Sequence, residues 1–165
     1  MAAKAETDRE QIAQLLALFC VAVDRMDLEL LRSVFHPHAK VDFGAFINGP
    51  VQQYLDYLAS AAGLPSLTRT MHQLGTISCD IDGNLARCES YVTAYHEGDA
   101  NHPWCAGCVV IGARYIDQME RLDGTWGISS RVCVFEFARN LCTGQPMDLP
   151  PDKVGRRDKS DPRYL

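Results

Sequence analysis

A chain of 165 residues, 47% hydrophobic and 22% charged with a formal charge of −5, is long enough to bury one core without metal or disulfide staples. Its mild acidity and the lack of a Lys/Arg run argue against nucleic acid as a partner. No apolar stretch approaches the roughly 20 residues that cross a membrane, and the polar start Met-Ala-Ala-Lys-Ala-Glu-Thr-Asp has no apolar signal core, so a cytoplasmic protein is expected. The seven cysteines are odd in number, irregularly spaced and set mostly among apolar residues, which fits free thiols in a reducing compartment better than a disulfide framework.

The first element is announced by Thr7-Asp8-Arg9-Glu10, a capping-box pattern. Ile12, Leu15, Leu16, Phe19 and Val23 then mark one helical face. Because residues 17–23 are all apolar, the second half of this helix should be buried most of the way round. Asp24 follows, where a carboxylate meets the negative end of the helix macrodipole. Local helix physics therefore does not explain it: it is either an exposed turn residue or the partner of a group elsewhere in the chain. Asp27 reads as the N-cap of a second, short helix over 28–35.

Pro37 should end that helix, leaving His36 and His38 in an exposed turn. A first strand is expected over 40–46, then a turn at Asn48-Gly49-Pro50 with the proline at a helix N1 position. The third helix runs from Val51 through Leu58 and stops near Gly63-Leu64-Pro65. Four strand-like segments follow, at 68–81, 85–97, 105–122 and 125–138, with hairpin signals at Asp82-Gly83-Asn84 and Asp123-Gly124. Strands this long bend or carry bulges, for which Gly107 and Gly112 are places. Residues 1–142 make one domain, and 143–165 a polar, Pro-rich tail with little to bury. Helices first and antiparallel strands afterwards give an α+β fold, three helices packed on one face of a strongly curved, mostly antiparallel sheet, with a concave interior suited to a small molecule.

His72 lies near the start of the 68–81 strand. A histidine there is either satisfied by a backbone carbonyl or is a general base, and Asp24 is the carboxylate that would orient it. A dyad of this kind without a nucleophile suits proton abstraction beside a leaving group or a carbonyl. Arg131, flanked by apolar residues, would hold a substrate oxygen or a surface salt bridge. Tyr54, Tyr91 and Tyr95 would serve as phenol donors or as core residues with a wet hydroxyl. His96 and His102 read as loop-end residues. Cys105-Ala106-Gly107-Cys108 is a lone CxxC, and without a second pair no metal site is expected. Gly-rich phosphate loops, HExxH and GxSxG are all missing.

The element order, with the helix ending Phe-Cys-Val-Ala-Val-Asp24, the segment Leu-Leu-Arg-Ser-Val-Phe-His-Pro-His-Ala, Thr-Met-His72-Gln-Leu-Gly and Leu-Asp-Gly-Thr-Trp126, resembles the SnoaL-like branch of the nuclear transport factor 2-like superfamily. That branch includes scytalone dehydratase, bile acid 7α-dehydratase and hexachlorocyclohexane dehydrochlorinase. The resemblance covers residues 6–138 and implies the cone fold, with Asp24 and His72 in the places of the branch's catalytic dyad. Two departures stand out. The dehydratases carry a tyrosine in the turn before the aspartate, where this chain has Phe19, and a second polar catalytic group on the strand corresponding to 91–96.

The resemblance implies a cofactor-independent lyase, a dehydratase or dehydrohalogenase, acting on an apolar cyclic small molecule. Phe19, Phe43, Val92, Val110 and Phe135 would supply its pocket walls. Tyr54, Tyr91, Tyr95 and Arg131 would join Phe19 in binding substrate. The alternatives are an isomerase or cyclase using the same dyad, or a non-catalytic binding or assembly subunit such as the small subunit of a ring-hydroxylating dioxygenase. A homodimer or homotrimer is expected.

Overall fold

The computed structural model describes residues 7–141 and 157–160. Helix α1 (Asp8–Arg25) opens with the expected box: the Thr7 hydroxyl accepts from the Glu10 N–H, and the Glu10 carboxylate accepts from the Thr7 N–H. It ends on Met26 in the left-handed region, which turns the chain so that Asp27 caps α2 (Leu28–Ser33), its Oδ1 accepting from the Leu30 N–H. Strand β1 (Phe35–Asp42), a short β2 (Asn48–Pro50) and α3 (Val51–Ala59) follow. After one 3-10 turn (Leu64–Ser66) come four long strands, β3 (Arg69–Asp82), β4 (Leu85–Gly98), β5 (Gly107–Leu122) and β6 (Thr125–Asn140).

The six strands form one open, curved sheet in the order β2-β1-β6-β5-β4-β3. The meander from β3 to β6 is antiparallel, while β1 pairs parallel with β6. The three helices pack on the concave face, as expected. Phe19, Ile12 and Leu16 of α1 join Val41 of β1, Tyr115 of β5 and Ile128 of β6 in the main core. The register shifts where β5 passes Gly112, one of the two glycines expected to mark a bend; an added Cβ there would run into the Phe137 ring.

Three sequence expectations are corrected. His36-Pro37-His38 is part of β1, not a turn. Pro37 has no N–H to give a ladder, and the register breaks between Phe35 and Lys40, so the strand tolerates it. His36 and His38 stack with centroids 5.5 Å apart, and their Nε2 atoms reach the Glu120 backbone and side chain. Asn48-Gly49-Pro50 pairs with β1 as a strand, and Pro50 is the N-cap of α3 instead of its first residue. Cys79 and Cys88, thought to be free thiols, are joined as a disulfide because β3 and β4 put them directly opposite each other. Of the expected tail at 143–165, only Arg157 to Ser160 fall within the described residues. No helix of the described residues is long and apolar enough to cross a membrane.

Candidate active site

Asp24 occupies the last turn of α1 and is 8% exposed. β3 is an edge strand of the sheet, and an edge strand presents backbone donors with no ladder partner. At His72 that donor is used: its N–H gives a hydrogen bond to Asp24 Oδ2 at 2.8 Å, while His72 Nδ1 lies 2.7 Å from Asp24 Oδ1. Both carboxylate oxygens are thus occupied by one residue, which answers the unfavourable end of the helix dipole. Burial works to raise the Asp24 carboxyl, but the hydrogen bonds and charge of His72 outweigh it and hold the group below its ordinary value. An ionised Asp24 only accepts, so Nδ1 carries the proton facing it, and in the neutral ring Nε2 is the acceptor.

The His72 ring is in the wall of an apolar cavity of about 380 Å³, within the range of small-molecule sites. Phe43 and Tyr54 stack on one another at 4.9 Å in this wall. Val92, Ile111, Tyr115 and Phe135 line the sheet side, and Leu64, Leu67 and Trp104 lie towards the loops. His96 also faces the cavity, its ring centroid 5.3 Å from that of His72. Burial first, then the neighbouring charge of His72, pushes His96 down to about 4, and its buried Nδ1 has no hydrogen-bond partner among the described residues. At neutral pH His96 is therefore an uncharged imidazole with unused hydrogen-bonding capacity in an apolar setting.

The other candidates divide by strand parity. Tyr54 lines the cavity, and burial raises its phenol above the ordinary range. Tyr91 is more than half exposed and Tyr95 half-buried, and neither lines the cavity. They alternate with Ser90, Val92, Ala94 and His96, the inward residues of β4, and so point from the opposite face. Phe43, Val92 and Phe135 are walls as expected, while Val110 and Phe19 are not. Phe19 instead covers Arg131, whose guanidinium sits 4.1 Å from the ring centroids of both Phe19 and Tyr115. Arg131 is 1% exposed and holds the equally buried Asp117 through Nε at 2.7 Å and Nη2 at 2.9 Å, so its position is beneath the cavity wall and not in it.

His96, expected at a loop end, lies within β4 and in the cavity wall, and Trp104 and Tyr115 are cavity residues with no earlier assignment. For His96 the signal was present: it shares the parity of Val92, already assigned to the pocket wall. The CxxC residues do not assemble a ligand set; the Cys105 thiol donates to the His96 carbonyl, and among the described residues no group of three or more His, Cys, Asp or Glu is placed to hold a metal ion.

No functionally curated protein matches the chain. Among solved structures, the protein Kfla4162 from Kribbella flavida is similar at 22% identity over 83% of this chain and 96% of its own, with a TM-score of 0.72. The hexachlorocyclohexane dehydrochlorinase LinA-type3 from Novosphingobium barchaimii LL02 is similar at 18% identity over 86% and 94%, with a TM-score of 0.72. A scytalone dehydratase-like protein from Novosphingobium aromaticivorans DSM 12444 is similar at 18% identity over 83% and 89%, with a TM-score of 0.71. At these identities the likeness carries the fold and no more. Residues 5–132 match the SnoaL-like domain, most of the chain and all of the sheet except the second half of β6. Fold and sequence agree: the chain belongs to the SnoaL-like domain family, within the NTF2-like superfamily.

Proposed function

We propose that the chain is a cofactor-independent lyase that removes a proton from an apolar cyclic small molecule and expels a neighbouring hydroxyl or halide. The observation that carries this reading is the 2.7 Å contact between Asp24 Oδ1 and His72 Nδ1 with the His72 ring in the cavity wall. Nε2 takes the proton from carbon; the C–H pair becomes the new double bond, and the leaving group departs with its own bonding pair. Asp24 stays ionised, fixes the tautomer and stabilises the imidazolium that forms. His96, neutral and with an Nδ1 that has no partner among the described residues, donates a hydrogen bond to the departing oxygen or halide. An isomerase would begin with the same proton transfer and differ only in where the proton returns. A non-catalytic assembly subunit has no use for a buried Asp-His pair on an apolar cavity.

Long-range proton–nitrogen NMR reads the tautomer of each of the five histidines. His72 should be the Nδ1–H form with a bare Nε2, and Asp24→Ala should release it towards the commoner Nε2–H form. An Nε2–H tautomer for His72 in the wild type would sink the base assignment. With a substrate found by screening cyclic alcohols and halides, His72→Ala should lower kcat by about 10²–10⁴-fold, the usual weight of a general base.

A further inference from the structure

A second charged group, Arg157, lies near Asp24 of the dyad. Arg157 reaches back from the C-terminal segment, and its Nη1 donates to the backbone carbonyls of Leu64 and Leu67. Two residues on, Lys159 Nζ pairs with Asp27 Oδ2 at 2.5 Å, so the segment is fixed at two points, over the cavity's loop end and at the α1–α2 turn. The other edge of the Arg157 guanidinium is idle: Nε and Nη2 are both buried, and neither has an acceptor among the described residues. Charged donors withheld from water without a partner are costly, so this edge is a place where a ligand gains what the fold leaves unmade.

The chain shows what fills such an edge elsewhere. Arg131 uses the same two atoms, Nε and Nη2, to hold the two oxygens of Asp117. At Arg157 the nearby carboxylate, Asp24, has both oxygens committed to His72. Arg157 lines a hollow of about 280 Å³ together with Asp24, His96, Arg25, Arg69 and Glu97. His96 is a wall of this hollow and of the apolar cavity, so the two spaces adjoin. Glu97 in its wall is paired with Arg69 at 3.6 Å.

We propose that the Nε–Nη2 edge of Arg157 receives a carboxylate of the substrate, so that the molecule taken by this site is an apolar ring bearing a carboxylate. A planar carboxylate matches the fork in spacing and charge; a dianion would meet Asp24 and Glu97 as well. The inference rests on the proposed function for putting the ring in the cavity, and adds the group that orients it past His96 towards Arg157.

Calorimetric titration of the full chain with 1-naphthoate and with 1-naphthamide tests this without turnover. The acid should bind at least about tenfold more tightly than the amide. Arg157→Gln should abolish that preference by weakening the acid and leaving the amide within about twofold, and Arg157→Lys, a point charge without a fork, should restore part of it. The amide and a thermal melt report whether the variant cavity is intact. Equal binding of acid and amide by the wild type, equal weakening of both in Arg157→Gln, or no binding of either ring overturns the assignment. The tautomer of His72 is read independently: if it fails and the acid preference holds, only the lyase reading falls, and the converse removes only the carboxylate site.

Discussion

Replacing His96 by glutamine should flatten the acid side of the protein's stability curve. In the folded chain burial and the nearby His72 hold His96 at about 4, against 6.5 for an ordinary histidine. Between those values the unfolded chain binds a proton that the folded chain refuses, so stability rises with pH there. The contribution is complete above about 6.5 and is lost as pH falls towards 4. The gap corresponds to up to about 3 kcal/mol at 1.36 kcal/mol per pH unit, less whatever water in the cavity screens. Urea unfolding at intervals from pH 7.5 to 4 measures it. The wild type should lose about 2–3 kcal/mol more than His96→Gln across that window, with equal m-values. Asp24, held below its ordinary range, makes its own loss lower, under pH 4, so the two are separable. Parallel curves for wild type and variant would mean that His96 charges freely in the folded protein, and the uncharged donor assigned to it would be refuted.

Other outcomes follow from the same geometry. Arg131→Met strands the buried Asp117 carboxylate and should cost about 3–5 kcal/mol, most of it recovered in Arg131→Met/Asp117→Leu; urea titrations of both settle whether the pair or the packing matters. Gly63→Ala would push a Cβ against the backbone carbonyls of Tyr57 and Leu58, so a thermal melt should show a loss of more than about 1 kcal/mol. Thr7→Ala removes the N-cap of α1 and should lower stability by about 1 kcal/mol in the same assay, with no change in ligand affinity.

Much of this fold is legible because its signals are local. Thr7 and Glu10 make the box their spacing announces, Asp27 caps α2, and the four long strands fall within about two residues of their expected limits. His36-Pro37-His38 misleads because proline's effect on its neighbours is local, whereas the partner that recruits it, β6, lies at the far end of the chain. The approach of Asp24 to His72 is likewise a tertiary fact, expected from the resemblance and from the lack of any local reason for Asp24. Periodicity locates the face of a strand but only if applied throughout. Val92 as a wall and Tyr91 and Tyr95 as substrate contacts cannot share one face of β4, and the structure keeps the even set, with His96 in it. Arg131 shows the limit of composition: apolar neighbours suggest an inward side chain, but not that Asp117 already holds it.

The parallel pairing of β1 with β6 has a consequence for the chain as it is made. Phe35 of β1 meets Ile128 of β6, more than ninety positions later. At about 5–20 residues per second of synthesis, β1 emerges some 5–20 s before its long-range partner exists. Through that interval it has only the three-residue β2 beside it, and the apolar face of α1 has no finished sheet to lie on. The nascent chain thus carries an unpaired edge and an oily helix together until the last hairpin is complete, the period in which a holding chaperone would matter most to its yield.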